Sequence, residues 1–272
     1  MKLIDTHAHI YSEQFAKDRQ EMLERAFLEG IELIYMPNVD HKSIDGMLAL
    51  EDRYPKQCVP MMGLHPCSVG KDFEKELYIV EDWFNKRSFV AVGEMGIDLY
   101  WDTTFIAQQE EAFKIQANWA KKYKIPLIIH SRSKQNDTKN SENNDKNNNA
   151  MQKVIALLEN LASDDLFGIL HCFGGTVMEA EKLIDLNFKL GIGGVVTYKN
   201  GGLEPVIAAV DLEHLVLETD CPYLAPLPHR GKRNETAFVK LVAEKIATLK
   251  NIPLEVVAAK TTENAKKLFN KM

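Results

Sequence analysis

The sequence predicts a single α/β domain folded as a (β/α)8 TIM barrel. Eight short apolar runs alternate with amphipathic helical patterns along 272 residues, and such barrels typically take about 250. The runs are almost continuously apolar, as strands of a parallel sheet covered on both faces must be. Histidines and carboxylates recur where the runs end, which is where a barrel carries its functional groups. An open doubly wound sheet is the competing architecture. Its phosphate-binding G-x-G-x-x-G is absent after the first run, which ends instead in two histidines.

Lys2-Leu3-Ile4 opens the first strand, which ends in Asp5-Thr6-His7-Ala8-His9. Side chains alternate along a strand with a period of two, so His7 and His9 share a face and can grip one ion. Residues 12–29 space Phe15, Met22, Leu23, Ala26 and Phe27 as an amphipathic helix that Gly30 ends. Ile31 to Val39 is the second strand and residues 42–54 the next helix. Val59 to Leu64 is the third strand, leading into Gly63-Leu64-His65-Pro66. Residues 72–87 are helical, and Phe89 to Val92 form a buried fourth strand ending in Gly93-Glu94-Met95-Gly96-Ile97-Asp98. A helix over 104–123 precedes Pro126 to Ile129, a strand that delivers His130. Another, over about 151–161, precedes Phe167 to Leu170, which delivers His171. Then come helix 176–187, a glycine-containing strand from Phe188 to Val196, and a short helix over 203–210. Leu215 to Leu217 delivers Glu218-Thr219-Asp220, and a proline-rich loop with two amphipathic helices, 237–249 and 254–270, follows.

Ser133 to Asn149 breaks the pattern: it has no apolar residue, is dominated by asparagine, and balances three lysines against three acids. Such a composition cannot offset the entropy of ordering. It reads as a mobile insertion in the loop after the fifth strand, on the functional side of the barrel.

The composition, 45% hydrophobic and 26% charged, is that of an ordinary globular protein. No run approaches the roughly 20 apolar residues of a membrane span, and the N-terminus leaves no room for a signal segment before the first motif. A cytoplasmic protein is expected, and a monomer is compatible with the sequence. The four cysteines, Cys58, Cys67, Cys172 and Cys221, form no C-x-x-C pair and read as reduced thiols. Cys172 and Cys221 each follow a candidate ligand, and continued strand alternation would turn them away as packing residues. A net charge of -6 argues against a basic nucleic-acid-binding face, so any phosphate must be held locally. The most basic short stretch is His229-Arg230-Gly231-Lys232-Arg233-Asn234.

His7, His9, Glu94, His130, His171 and Asp220 stand at the ends of five runs. For each histidine singly, a hydrogen-bonded structural role is the alternative. Together, four imidazoles and two carboxylates in one barrel mouth need counter-charge, which divalent metal supplies. One open catalytic ion takes about three protein ligands, so six suggest two ions sharing a carboxylate.

The motifs around these residues resemble the TatD family of metal-dependent deoxyribonucleases and related hydrolases, among the amidohydrolase-like barrels. The resemblance covers nearly the whole chain. It rests on Asp5-Thr6-His7-Ala8-His9, Gly63-Leu64-His65-Pro66, Gly93-Glu94-Met95-Gly96-Ile97-Asp98 and Ile129-His130-Ser131-Arg132. It continues through His171-Cys172-Phe173-Gly174-Gly175 and Glu218-Thr219-Asp220-Cys221-Pro222-Tyr223-Leu224-Ala225-Pro226 to the Arg230–Asn234 stretch. The resemblance implies that His7, His9 and Asp220 hold one metal, that His130 and His171 hold the second, and that Glu94 bridges them. Where the family usually carries proline after the residue following its Arg-Asn element, this chain has Thr236 after Glu235. The insertion after Arg132 is also unusual for the family.

The implied reaction is phosphodiester hydrolysis by a 3′-to-5′ exonuclease acting on single-stranded or damaged DNA. Two ions would lower the pKa of a water from about 15.7 towards 7 and clamp the attacking and leaving oxygens. Asp220 is the candidate general base, with a ligand-only role as its alternative. Arg132, Arg230 and Arg233 could grip phosphates, and His65 could add a donor. Imidazole-rich sites suit zinc, manganese, cobalt or nickel, whereas the family's nucleases are associated with magnesium. Two other functions compete. One is an ester or amide hydrolase using the same site, such as a D-aminoacyl-tRNA deacylase; the other is a non-catalytic scaffold, against which the six retained ligands stand.

Overall fold

The apolar runs become strands because both their faces meet dry neighbours, and the helical patterns pack outside them. The computed structural model describes residues 1–134 and 149–269. The first half comprises β1 (Leu3–Asp5), α1 (Arg19–Leu28), β2 (Ile31–Pro37), α2 (Ile44–Arg53), β3 (Cys58–Met61), α3 (Phe73–Lys86), β4 (Val92–Asp98) and α4 (Ile106–Tyr123). The second comprises β5 (Leu127–Arg132), α5 (Ala150–Leu161), β6 (Gly168–Leu170), α6 (Val177–Asp185), β7 (Phe188–Ile192), α7 (Glu204–Ala209), β8 (Leu215–Leu217), α8 (Val239–Lys250) and α9 (Leu254–Phe269).

Neighbouring strands pair in parallel in two ladders, β1-β2-β3 and β4-β5-β6-β7-β8. Backbone hydrogen bonds cross both seams between the ladders. At the first, Met62 bridges to Val92 and the Gly93 amide donates to the Met62 carbonyl at 2.9 Å. At the second, the Thr6 amide donates to Leu217 at 3.0 Å and the Asp220 amide to His7 at 2.9 Å. The eight strands thus follow one another round a ring, the TIM barrel that the sequence predicts.

Strand alternation divides the core into two layers. Ile4, Tyr35, Met61, Ile128, Ile169 and Val216 form an inner cluster with Ala265, Leu268 and Phe269 of α9, which plug it. The Tyr35 and Phe269 rings stack at 3.7 Å. Their strand neighbours Leu3, Ile34, Leu127, Ile129, Leu215 and Leu217 belong to the larger cluster shared with the helices. Continuing the alternation past the inner cluster reaches His130 after Ile128, His171 after Ile169, and Glu218 after Val216. The polar site therefore stands on an apolar floor.

Three local expectations change. β4 runs from Val92 to Asp98, not from Phe89 to Val92, so Glu94 lies within the strand. Gly93 and Gly96 resemble loop residues in sequence, yet β5 approaches so closely that a side chain at Gly96 would collide with the His130 carbonyl. β7 stops at Ile192, and Gly194–Thr197 turns as a 3-10 helix instead of extending the strand. The helix expected over 12–29 is divided into a 3-10 turn at Glu13–Phe15 and α1, and Arg19 donates to the carbonyls of Ile10, Tyr11 and Ser12 beside the break. Most of the asparagine-rich insertion, residues 135–148, lies outside the described residues. Asn149 at its end caps α5 by accepting from the Met151 and Gln152 amides. No helix among the described residues is long and apolar enough to cross a membrane.

Candidate metal centre

Glu94 is the hub of the barrel mouth. Its Oε2 lies 3.1 Å from His7 Nε2 and 3.4 Å from His9 Nε2. Its Oε1 lies 2.9 Å from His130 Nδ1, 3.4 Å from His65 Nε2 and 3.5 Å from His171 Nε2. Asp220 joins on the first side, with Oδ1 3.5 Å from His9 Nε2 and 3.9 Å from His7 Nε2. The six residues singled out as ligands are thus brought together, and the two oxygens of one carboxylate divide the imidazoles into two sets. His65, expected to meet substrate, stands in the second set.

For four of the rings, outer contacts decide which nitrogen offers a lone pair. Tyr11 donates its hydroxyl proton to the Pro37 carbonyl at 2.6 Å, so its oxygen accepts from His9 Nδ1 at 2.8 Å and leaves His9 Nε2 bare toward Glu94. Asp98 Oδ2 lies 2.8 Å from His130 Nε2, which places that proton outward and the Nδ1 lone pair inward. Glu218 Oε1 is 3.1 Å from His171 Nδ1, although off the direction of a well-formed hydrogen bond, and favours the Nε2 lone pair facing Glu94. His65 is the reverse case. Its Nδ1 accepts from the Cys67 amide at 3.0 Å, so the neutral ring carries its proton on Nε2, toward Glu94. His65 is therefore arranged as a donor, and His9, His130 and His171 as acceptors of a cation.

The site's field agrees with a cation site. Burial opposes ionisation of Glu94, but His65, His7 and His171 hold its carboxyl well below the usual range. Asp220 is likewise lowered against burial by His9, His171 and His7. Burial lowers His7, and the charge of His171 adds to that. His171 is raised to about 9 because Glu218 and Glu94 outweigh its burial. A proton on such a ring and a cation at Glu94 compete for the same place, so metal binding releases protons. His7 Nδ1, His171 Nδ1 and Glu218 Oε2 are buried without a hydrogen-bond partner. The ligand atoms of His7, His9 and Asp220 lie within 4.8 Å of one another. This donor set fits divalent metal.

Two residues of the centre had no role assigned from sequence. Asp98 and Glu218 lie inside the quoted motifs, and their signal was the period of two: 94, 96, 98 on β4 and 216, 218, 220 from β8 onward. Glu218 is fully buried, accepts from the Cys172 amide, and occupies the space over Gly191, where any side chain would strike its carboxylate. Burial opposes ionisation of Asp98, yet His130 and the Tyr100 and Trp101 amides bring it down to about 2. Cys172 departs from expectation. Its φ of 47° ends the strand alternation, and its sulfur faces His171 and Asp220. Burial pushes that thiol well above its ordinary range, so it remains protonated there. Cys221 is buried beside Thr236 Oγ1 at 3.6 Å, a packing position as expected.

The three arginines separate. Arg132 lies over the Tyr100 ring at 4.0 Å and within 5.7 Å of Trp101, and Arg230 lies over Tyr198 at 4.4 Å. Arg233, expected to grip phosphate, instead pairs both guanidinium nitrogens with Asp18 and donates to the Gln14 carbonyl at 2.7 Å. The Asp18 carboxylate and the Gln14 carbonyl take three of its five N–H donors, and Asp18 offsets its charge, so its hold on a phosphate is weakened.

A family model described as TatD related DNase matches residues 4–270. The chain is 37% identical over 268 residues to YabD of Bacillus subtilis, an uncharacterized metal-dependent hydrolase, with 98% of each chain covered. It is 29% identical over 273 residues to the 3′-5′ ssDNA/RNA exonuclease TatD of Salmonella typhimurium, again with 98% of each covered. The crystal structure of YJJV, a TatD homolog from Escherichia coli, matches with a TM-score of 0.86 at 28% identity, covering 99% of this chain and 98% of that one. The chain therefore belongs to the TatD related DNase family of metal-dependent hydrolases.

Proposed function

We propose that this protein hydrolyses phosphodiester bonds with two divalent ions bridged by Glu94, shortening single-stranded or damaged DNA from its 3′ end. The observation that carries the proposal is the division of imidazoles between the two Glu94 oxygens: His7 and His9 at Oε2, His130 and His171 at Oε1. With Asp220 added to the first set, one ion would be held by His7, His9, Asp220 and Glu94, and the other by His130, His171 and Glu94. When bound, the ions supply a Lewis acid for the phosphoryl oxygen and an acidified water.

The remaining work belongs to the chain's own side chains. Asp220, with its side chain 14% exposed against 2% for Glu94, reaches toward solvent and is held ionised, so it can take the proton of the attacking water. His65 Nε2–H donates to a non-bridging phosphate oxygen. Arg132 and Arg230, held over aromatic rings, meet the flanking phosphates. The name of the Salmonella relative supports the substrate class. The imidazole-rich donors favour zinc, manganese, cobalt or nickel over magnesium.

The test is reconstitution with each metal, followed by incubation with end-labelled single-stranded DNA and, separately, a D-aminoacyl-tRNA. Stepwise 3′ shortening that requires metal and disappears in Glu94→Ala supports the nuclease. Cleavage of the ester alone rejects it in favour of a deacylase on the same ligands.

A further inference from the structure

A cleft of about 210 Å³ opens beside the metal centre, and nothing in the reaction described above uses it. Asp98 forms part of its wall, and the same carboxylate holds His130 at 2.8 Å. The turn Pro66–Ser68, which directly follows His65, lines another side. Trp101 and Phe105, from the connection between β4 and α4, complete the apolar lining with Val69.

Trp101 is 69% exposed, whereas Trp119 is buried and Trp83 half-buried. Its backbone is nonetheless fixed. The Trp101 amide donates to Asp98 Oδ1 at 3.2 Å and the Tyr100 amide to the same oxygen at 2.8 Å. A rigidly mounted aromatic face left in water at a site's edge is a platform awaiting a flat partner. Among the described residues, the charged lining of the cleft is Asp98 and Asp102, so it repels phosphate. The positive charge stands beside it on Arg132, over Tyr100 and near Trp101.

We propose that this cleft is a nucleobase subsite: Trp101 stacks the base of a nucleotide adjoining the scissile phosphate, while Arg132 meets that nucleotide's own phosphate outside. The proposal rests on the phosphodiesterase reading and adds what that reading lacks, a reason for nucleic acid over other phosphodiesters. Every base presents a π-face, so the subsite grips single strands with little sequence preference. A paired base, stacked within a duplex, cannot enter without being extruded.

The test uses the metal-loaded full chain and short single strands carrying one abasic position, stepped inward from the 3′ end. At one position, loss of the base raises KM by between about 5-fold and 150-fold, the range of base–aromatic stacking. Trp101→Ala raises KM for the intact strand similarly, the two losses do not multiply when combined, and Trp101→Phe restores most of the affinity. Multiplying effects, or an abasic penalty equal at every position, overturns the subsite. A second readout is independent of turnover. Tryptophan emission is titrated with a mononucleotide and with ribose 5-phosphate, in wild type and Trp101→Phe. Quenching by the mononucleotide alone, lost in the variant, supports the subsite even if no strand is cut and the phosphodiesterase reading fails. Equal quenching by both, or by neither, overturns the subsite even if DNA is degraded.

Discussion

Glu218→Gln isolates the carboxylate behind His171. Glu218 is fully buried, its Oε1 lies 3.1 Å from His171 Nδ1, and its Oε2 has no hydrogen-bond partner. At that distance the attraction between a carboxylate and an imidazolium is on the order of 5 kcal/mol for an effective dielectric of about 20. Desolvation of the buried carboxylate offsets much of it. Removing a carboxylate that orients a metal-ligating histidine typically weakens metal affinity by about 10- to 100-fold, or roughly 1.4 to 2.8 kcal/mol. The substitution is nearly isosteric and keeps an oxygen for the Cys172 amide. It therefore removes the charge facing His171 without opening a cavity. Competition against a chelator at constant pH should show one of the two ions weakened by that factor, with the metal-free melting temperature little changed. Affinity within about threefold of wild type for both ions would refute the assignment of Glu218 to His171 and the tautomer argument built on it.

The other predictions follow the same residues outward. Arg230→Ala raises KM for DNA and flattens its dependence on salt, because a phosphate contact contributes through counterion release; unaltered values in a salt series remove Arg230 from the phosphate path. Arg233 and Asp18 should couple by about 0.2 to 1 kcal/mol in a double-mutant cycle read by urea unfolding, with KM for DNA unchanged. Arg233's hydrogen bonds lower the Asp18 carboxyl below its ordinary 3.8. That coupling is therefore present above pH 4 and disappears as pH falls through the depressed value. Phe269→Ala, which removes the ring stacked on Tyr35, should cost about 3 to 5 kcal/mol in urea unfolding, and a loss below about 1 would show that α9 does not plug the barrel.

The ligands were legible because they obey the same period of two as the apolar residues beneath them. Ile128 and His130, and Ile169 and His171, are successive positions on one strand face, and Asp220 closely follows β8, so finding the strands located the site. β4 was misplaced because its glycines answer a close approach by β5, a demand made by another strand and invisible locally. Asp98 and Glu218 were overlooked as partners for a related reason. Each meets its histidine from a different strand, and only cross-strand distance reveals the pair. Arg233 looked free beside its glycine and lysine neighbours, while the carboxylate that holds it is 215 positions away. Cys172 was misjudged because one left-handed residue ended an alternation that the sequence alone had no means to stop.

The most direct test of Glu94 as a bridge between two ions is the number of zinc equivalents retained per chain after gel filtration, for wild type and Glu94→Gln. Bridging predicts two equivalents in wild type and at most one in the variant, since the amide keeps one oxygen and replaces the other with an NH2 that cannot hold a cation. One equivalent in wild type, or two in both proteins, would contradict it.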